Sequence, residues 1–532
     1  MRLSKLRRIS LIFLVAVLGI LLGLFIGLNL PFSQRLATRQ VNRTLTRKDV
    51  PVHINAIRKL LPGSVIIQGV TIGEARGDTI IYTGEIEAGI RLVALLRSKV
   101  VIRDLSLDGV IVDIGRESGA PDLNIAAVFQ PVINETTLPS EKEPASWKIS
   151  VNKGRVTNIS FRMADPVAGI QISQDVTELQ IRSFNVSIPD REIQCRSLDL
   201  NSTEGSVHLV QRLAASNEIN SSPWKVGFRE LTLADIDFTF QQPADSLKVD
   251  ARIGKGSINA NELDIPSKTV DLRKLNLKNA RVAYHSGQQT GTDSDHPQVK
   301  LDQLQWAIVS NTIELENTAV LLGSEPWGTF NGIDLSIKDL RFNSDVAGLD
   351  VRKMNFDMAN GFSLKSMKGR LDSDSEQTRL DLEIETGNSN MGVEGIADAG
   401  FFEILSHPET LNTATVELTK TRISLRDLSC FRPDLEDLAP FVILSSAPLV
   451  MEGTFHLSEP VLGVSGFSVS QGDHFHFSME GSIRDPFQLE NSTGDLRLEI
   501  SDLDRIWLER LVNGSGFTRS MPDLSDPITS VT

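Results

Sequence analysis

Cysteine is nearly absent: Cys195 and Cys430 are the whole complement in 532 residues. Two thiols cannot build a disulfide-dense scaffold or a four-thiolate metal site. Aromatic residues are sparse as well, at 6% against 40% hydrophobic residues overall, so the apolar material is chiefly aliphatic. Acid is missing from the first 48 residues, which carry nine Lys or Arg, whereas residues 49–532 hold 45 basic against 68 acidic residues. That sign over most of the chain argues against nucleic acid as a partner. No G-x-S-x-G, H-E-x-x-H, G-x-x-x-x-G-K-[ST] or G-x-G-x-x-G occurs in a strand–turn–helix setting, and no carboxylate pair stands out as a general acid and base. The sequence therefore predicts no enzyme, no cofactor and no catalytic residue.

What is present begins with a run from Ile9 to Leu28 that holds no charge. Twenty helical residues span about 30 Å, the thickness of a hydrocarbon core. A secretory signal has a shorter apolar region and a small-residue cleavage site, whereas Asn29, Leu30 and Pro31 follow here, so the run is read as an uncleaved transmembrane anchor. Basic residues flank it on both sides, which leaves its orientation open by charge alone. Arg35, Arg39, Arg43 and Arg47 recur every fourth residue and would form one stripe on a helix. Such a stripe suits either anionic lipid headgroups or plain solvent.

Beyond Pro62 the helical period gives way to strict alternation, as in Leu380, Leu382 and Ile384 against Asp381, Glu383 and Glu385, the mark of strands with one apolar and one wet face. No covering amphipathic helix can be found between about 147 and 400. With 532 residues no single core can organise the chain, and repeats supply the alternative. Trp147, Trp224 and Trp306 each open a shared pattern, with Asn158, Asp235 and Asn317 eleven residues on, where the apolar phase flips as at a bulge or strand corner. Trp327 opens an imperfect fourth copy. "ISLRDLSCF" from Ile423 and "LEISDLDRI" from Leu498 align as a second repeat that matches Asp427 with Asp502, each followed by a short helical piece. The expected division is 1–31 cytoplasmic tip and anchor, 32–60 juxtamembrane helix, 61–146 first β unit and linker, then β repeats at 147–223, 224–305, 306–400 and 401–532. Strands of about nine residues are expected, about 27 of them if half the chain is strand.

His474 and His476, as alternate strand residues, could ligate a metal with Asp473 or Glu480, but Phe475, Phe477 and Met479 would take the core face and leave the histidines on the wet one. No metal site is predicted. Asp293 and Asp295 in the polar 286–297 stretch are too little for a calcium site.

The anchor, the phrase "LPGSVIIQGVTIGEARGDTIIYTGEIEAGIRLVALLRSKVVIRDLSLDGVIVDI" from Leu61, "DLNIAAV" from Asp122 and the Trp147 strand with "VTNISFRMAD" resemble, in succession, the amino-terminal part of the AsmA-like superfamily, and within it the translocation and assembly module (TamB) branch. The likeness covers residues 1–170. It implies a mainly β protein, an elongated repeating β-groove (a taco-like sheet) with one amino-terminal transmembrane helix and few short helices. It also implies an inner-membrane anchor, a periplasmic body, phospholipid as cargo toward the outer membrane, and an outer-membrane barrel as partner. The likeness does not extend to the carboxy-terminal domain in which longer TamB relatives end. On this reading the groove is lined by Ile149, Val151, Phe161, Leu231, Leu233, Phe238, Phe240, Leu380, Leu382 and Ile384. The same residues would equally serve an ordinary sandwich core.

Overall fold

The computed structural model describes residues 30–47, 50–61, 64–73, 79–91, 99–116, 123–124, 148–167, 169–187, 192–209, 225–243, 247–264, 269–286, 307–323, 328–407, 411–487 and 492–514. The anchor expected at Ile9 to Leu28 lies outside them, as do Trp147, Trp224, Trp306, Trp327 and the Asp293/Asp295 stretch. Among the described residues no helix is long and apolar enough to cross a membrane. The chain is mainly β; the described residues form 21 strands in a long mixed sheet and a few short helices. It divides into two units, residues 1–256 with 285–288, and residues 257–284 with 289–532.

The first unit starts with helix α1 (Pro31–Arg47) and continues through β1 (Val52–Leu61), β2 (Ser64–Gly73), β3 (Thr79–Ile90), β4 (Lys99–Gly115), β5 (Lys148–Asp165), β6 (Ile170–Ser187), β7 (Glu192–Leu209) and β8 (Lys225–Gln242). Each strand pairs with the next. All pairings are antiparallel except β4 with β5 and β7 with β8, which are parallel. This gives the repeat its physical meaning. One copy is an antiparallel triplet, β5 to β7, and the next begins with a parallel crossover onto β8.

The expected helix over 32–60 is corrected: it ends at Arg47, and Val52–Leu61 is a strand. The register of β1 skips Asn55 and shifts again between Ile57 and Lys59. Ile54 and Ile57 then sit three residues apart, a spacing that mimics a helix although both are buried on a strand. As an edge strand β1 needs cover, and α1 gives it through side chains at every fourth residue. The Ile57 N–H donates to Thr38 Oγ1 at 3.0 Å, the Ile54 N–H donates to Asn42 Oδ1 at 3.0 Å, Asn42 Nδ2 donates to the Ile54 carbonyl at 2.8 Å, and Gln34 Nε2 donates to the Arg58 carbonyl.

Strands β5 to β8 each run 18 residues, twice the expected nine, because each contains corners rather than ending at them. The ladder omits one residue per strand in a row from β1 to β8: Asn55, Gly69, Gly84, Gly109, Asn158, Thr177, Ser202 and Asp235. Gly69, Gly109, Asn158, Ser202 and Asp235 have φ between 49° and 65°, and these five lie on the strands that run in one direction. At Gly69 a Cβ would fall 2.2 Å from Asn55 Nδ2. At Asn158 and Asp235 asparagine and aspartate serve because they tolerate the left-handed region. The phase flip at Asn158 and Asp235 is therefore a real corner.

The second unit contains β11 (Ala307–Leu322), β12 (Thr329–Phe342), β13 (Ala347–Met358), β14 (Ser363–Ser373), β15 (Thr378–Thr386), β16 (Asn390–Ala397), β17 (Thr413–Ile423), β18 (Leu449–Ser458), β19 (Val461–Gln471), β20 (Phe475–Arg484) and β21 (Thr493–Ser501), with all but the last two residues of β10 (Thr269–Ser286), while β9 (Leu247–Asp264) straddles the division. The β10–β11 pair is parallel, and from β11 to β21 every pairing is antiparallel. The imperfect copy at Trp327 thus precedes a strand running opposite to β11. Helices α2 (Phe401–Ser406), α3 (Arg426–Ser429), a 3-10 turn (Pro433–Asp437), α4 (Ala439–Leu444) and α5 (Arg505–Gly514) decorate the rims. The second repeat aligns less well in space than in sequence. Asp427 lies inside α3, four residues beyond β17, whereas Asp502 follows β21 directly with φ 56°.

The corner recurs in this unit at Asn279 and Asn317, with φ 52° and 49°, and Asn317 Nδ2 donates to Asn279 Oδ1 at 2.7 Å. Replacing Asn317 by valine should cost about 2 kcal/mol, from left-handed strain at a branched residue and the lost bond. Asn317→Gly should recover most of that. Urea unfolding with hydrogen exchange over β11 measures both, and equal stability of the two variants would show that the corner is unstrained.

Candidate functional site

The corners keep one set of side chains on one face along the whole of each bent strand. In β5, Val151, Gly154 and Val156 are buried and Ile159, Phe161 and Met163 half-buried, while Asn152, Lys153, Arg155, Asn158 and Arg162 are exposed. The parity changes twice in that series, and the ladder skips Asn152 and Asn158 at the same places. Register then carries the apolar set from strand to strand. One row reads Ile57, Ile67, Ile86, Leu107, Val156, Leu179, Leu200 and Leu233, aliphatic on each of eight strands. At 4.8 Å per strand it extends about 34 Å. A second row runs Val112, Phe161, Gln174, Gly205 and Phe238, and a third pairs Val207 with Phe240.

Val151, Phe161, Leu231, Leu233, Phe238 and Phe240 all fall on this face; the side chain of Ile149 lies outside the described residues. In the second unit Leu380, Leu382 and Ile384 of β15 likewise alternate with exposed Arg379, Asp381, Glu383 and Glu385. They stand beside Leu371, Gly369 and Met367 on one side and Gly395, Val393 and Met391 on the other.

These rows are not sealed. Ile57 and Val156 are buried, but Ile67, Ile86, Leu107, Leu179, Leu200 and Leu233 keep partial exposure, unlike the close-packed interior of a sandwich. A small buried cluster in the second unit, Ala399, Leu411 and Leu457, lies at one rim. Phenylalanines meet the strand ends at both rims: beside this cluster Phe402 of α2 packs edge-on to Phe342 at 5.4 Å, and at the opposite strand ends Phe431, just after α3, sits 5.1 Å from Phe362.

The opposite face is polar and ion-paired. Arg155 bonds Glu178 at 2.7 Å and Arg162 bonds Asp175 at 2.9 Å across β5 and β6, and Lys353 reaches Asp334 at 3.0 Å in the second unit. Exposed pairs of this kind add little stability singly. The Asn317 N–H and then Lys353 hold the Asp334 carboxyl below its usual range, and the Thr413 N–H does the same for Asp398. A depressed folded-state value gives stability that is present above the unfolded carboxylate range and lost as pH falls through the folded value. Acid titration should therefore leave the second unit unchanged down to about pH 4 and loosen it below that. Asp334→Asn should flatten this acid limb in a circular dichroism titration.

The chemical candidates fare differently. His474 is in the turn before β20, not in the strand; its Nδ1 meets Asp504 Oδ2 at 3.1 Å and its ring stacks on Trp507. Its expected pairing with His476 on one strand face is corrected, because two more residues of the turn extend beyond the last ladder pair. Among the described residues no group of His, Cys, Asp and Glu could hold a metal ion. Burial pushes the Cys195 and Cys430 thiols up, which disfavours the thiolate. Arg35, Arg39, Arg43 and Arg47 are all exposed on α1. Sequence reading missed the docking residues Gln34, Thr38 and Asn42, which repeat every fourth residue beside the arginine stripe. No family model and no curated protein matches the chain.

Proposed function

We propose that the chain is a membrane-anchored phospholipid carrier of the AsmA-like, TamB-like kind, held in the inner membrane by residues 9–28 with its body in the periplasm. On this reading acyl chains lie along the apolar rows on their way toward the outer membrane. The observation that carries it is the row from Ile57 to Leu233: aliphatic on all eight strands, yet only partly buried at six of them. An acyl chain has no hydrogen bonds to satisfy and gains roughly 0.8 kcal/mol for each methylene removed from water. A carrier needs no catalytic group, and its headgroups can stay in water at the rim. Extraction of the purified protein followed by lipid mass spectrometry should recover phospholipid in a stoichiometry that survives gel filtration. Lipid-free protein with the rows fully protected from solvent would overturn the reading.

A second reading, a scaffold for outer-membrane protein assembly, is favoured by one observation. The outer edge of β21 has no strand partner among the described residues, and Leu498 on it is 44% exposed. An exposed edge is a template for strand addition. Crosslinking from Leu498 to an outer-membrane barrel protein in cells, with lipid content unaffected, would support it over the first.

A further inference from the structure

Helix α1 has two faces, and only one is used by the fold. At 100° per residue, Gln34, Val41, Thr38, Leu45 and Asn42 occupy roughly one third of the circumference, and three of them dock on β1. On the far side, within an arc of about 80°, lie Phe32, Leu36, Arg39, Arg43 and Arg47, while Arg35 lies about 40° outside it, between Asn42 and Arg39. Phe32 is 77% exposed and Leu36 57%. A large aromatic and a leucine left in water on a helix rich in arginine are unusual for a solvated face. None of the four arginines has an acidic partner among the described residues.

The two apolar side chains sit at the amino-terminal end of the helix, nearest the uncharged run that ends at Leu28, and the arginines follow away from it. This is the order of an interfacial helix: apolar residues entering the acyl boundary, guanidinium groups pairing with phosphate, and the opposite face free to hold something else. We propose that α1 lies on an anionic lipid surface through this face and thereby seats β1, the first strand of the aliphatic row, at the headgroup level. The inference rests on residues 9–28 being an anchor and is independent of whether the rows carry lipid.

The test places a photoactivatable benzophenone residue at the exposed position Gln40 in the full chain, reconstituted in nanodiscs containing phosphatidylglycerol or only phosphatidylcholine. Lipid adducts should form at position 40 in the anionic discs. Their yield should fall on the order of tenfold when phosphatidylglycerol is omitted, or when Arg35, Arg39, Arg43 and Arg47 are changed to glutamine, since each basic residue near such a surface is worth a several-fold preference. The quadruple variant should keep the Ile54 and Ile57 amides protected from exchange, because the docking residues are intact. Incorporation into the discs without lipid adducts, adducts indifferent to lipid charge, or adducts to protein alone would overturn the inference. Failure of the chain to incorporate would overturn the anchor and this inference together.

Discussion

A glutamate in place of Leu200 should strip bound phospholipid from the purified protein while leaving it folded. Leu200 is in the middle of the aliphatic row, between Leu179 on β6 and Leu233 on β8, and is only partly buried. In an unoccupied trough the carboxylate reaches water, so folding costs little. With an acyl chain in place the same charge is desolvated, at an effective cost of several kcal/mol, which is more than the gain of about 0.8 kcal/mol from each neighbouring methylene can restore. Bound phospholipid should fall by at least about tenfold, read as phosphorus per mole of protein, with hydrogen exchange over β6 to β8 unchanged. Leu233→Glu should behave alike, and Leu382→Glu should do the same in the second unit. A sealed core gives the opposite pattern, general unfolding of the variant.

The other large effect is expected at Asp427. Its side chain is 9% exposed and accepts from Asn388 Nδ2 at 2.7 Å, from Thr386 Oγ1 and from Ser389 Oγ. Ser389 Oγ in turn accepts from the Ser424 N–H at 2.9 Å. One carboxylate thus ties the β15–β16 turn to α3, just after which Phe431 reaches Phe362. Asp427→Ala leaves Asn388 Nδ2 and Ser389 Oγ without an acceptor and Thr386 Oγ1 with only the Ser389 carbonyl at 3.3 Å, and should cost about 3 kcal/mol. Exchange of the amides at Asn388 and Ser389 should quicken on the order of a hundredfold, and Asp427→Asn, which keeps an acceptor oxygen, should lose less. Unchanged exchange in the alanine variant would mean that the turn is held by its own backbone bonds.

Much of the strand content was legible, because alternation at Leu380 to Glu385 and the phase flips at Asn158, Asp235 and Asn317 leave a direct mark on the order of residues. Corners at Ser202 and Ser183, with φ 49° and 52°, left none, since serine in a strand gives no signal of left-handed backbone. For that reason the nine-residue expectation falls short in β5 to β8, where each apparent run is half of a bent strand, whereas it holds for β15 and β21 at nine residues each. The strand β1 read as helix because a skipped Asn55 and a bulge after Ile57 turn a period of two into a spacing of three. The parallel crossovers were hidden because pairing direction depends on where the connection travels, not on the paired residues. The groove candidates were found as separate strands, and only register joined them into rows. The pairing of Asp427 with Asp502 followed similar phrases whose local structures differ.

The most direct measurement uses a phospholipid with a diazirine near the end of one acyl chain, activated in the presence of the full-length protein and followed by peptide mapping. Acyl chains lying in the rows predict adducts at Leu107, Leu179, Leu200, Leu233 and Phe238, and none on the ion-paired face at Arg155, Glu178, Arg162 or Asp175. Adducts spread over both faces, or confined to residues 9–47, would contradict the account.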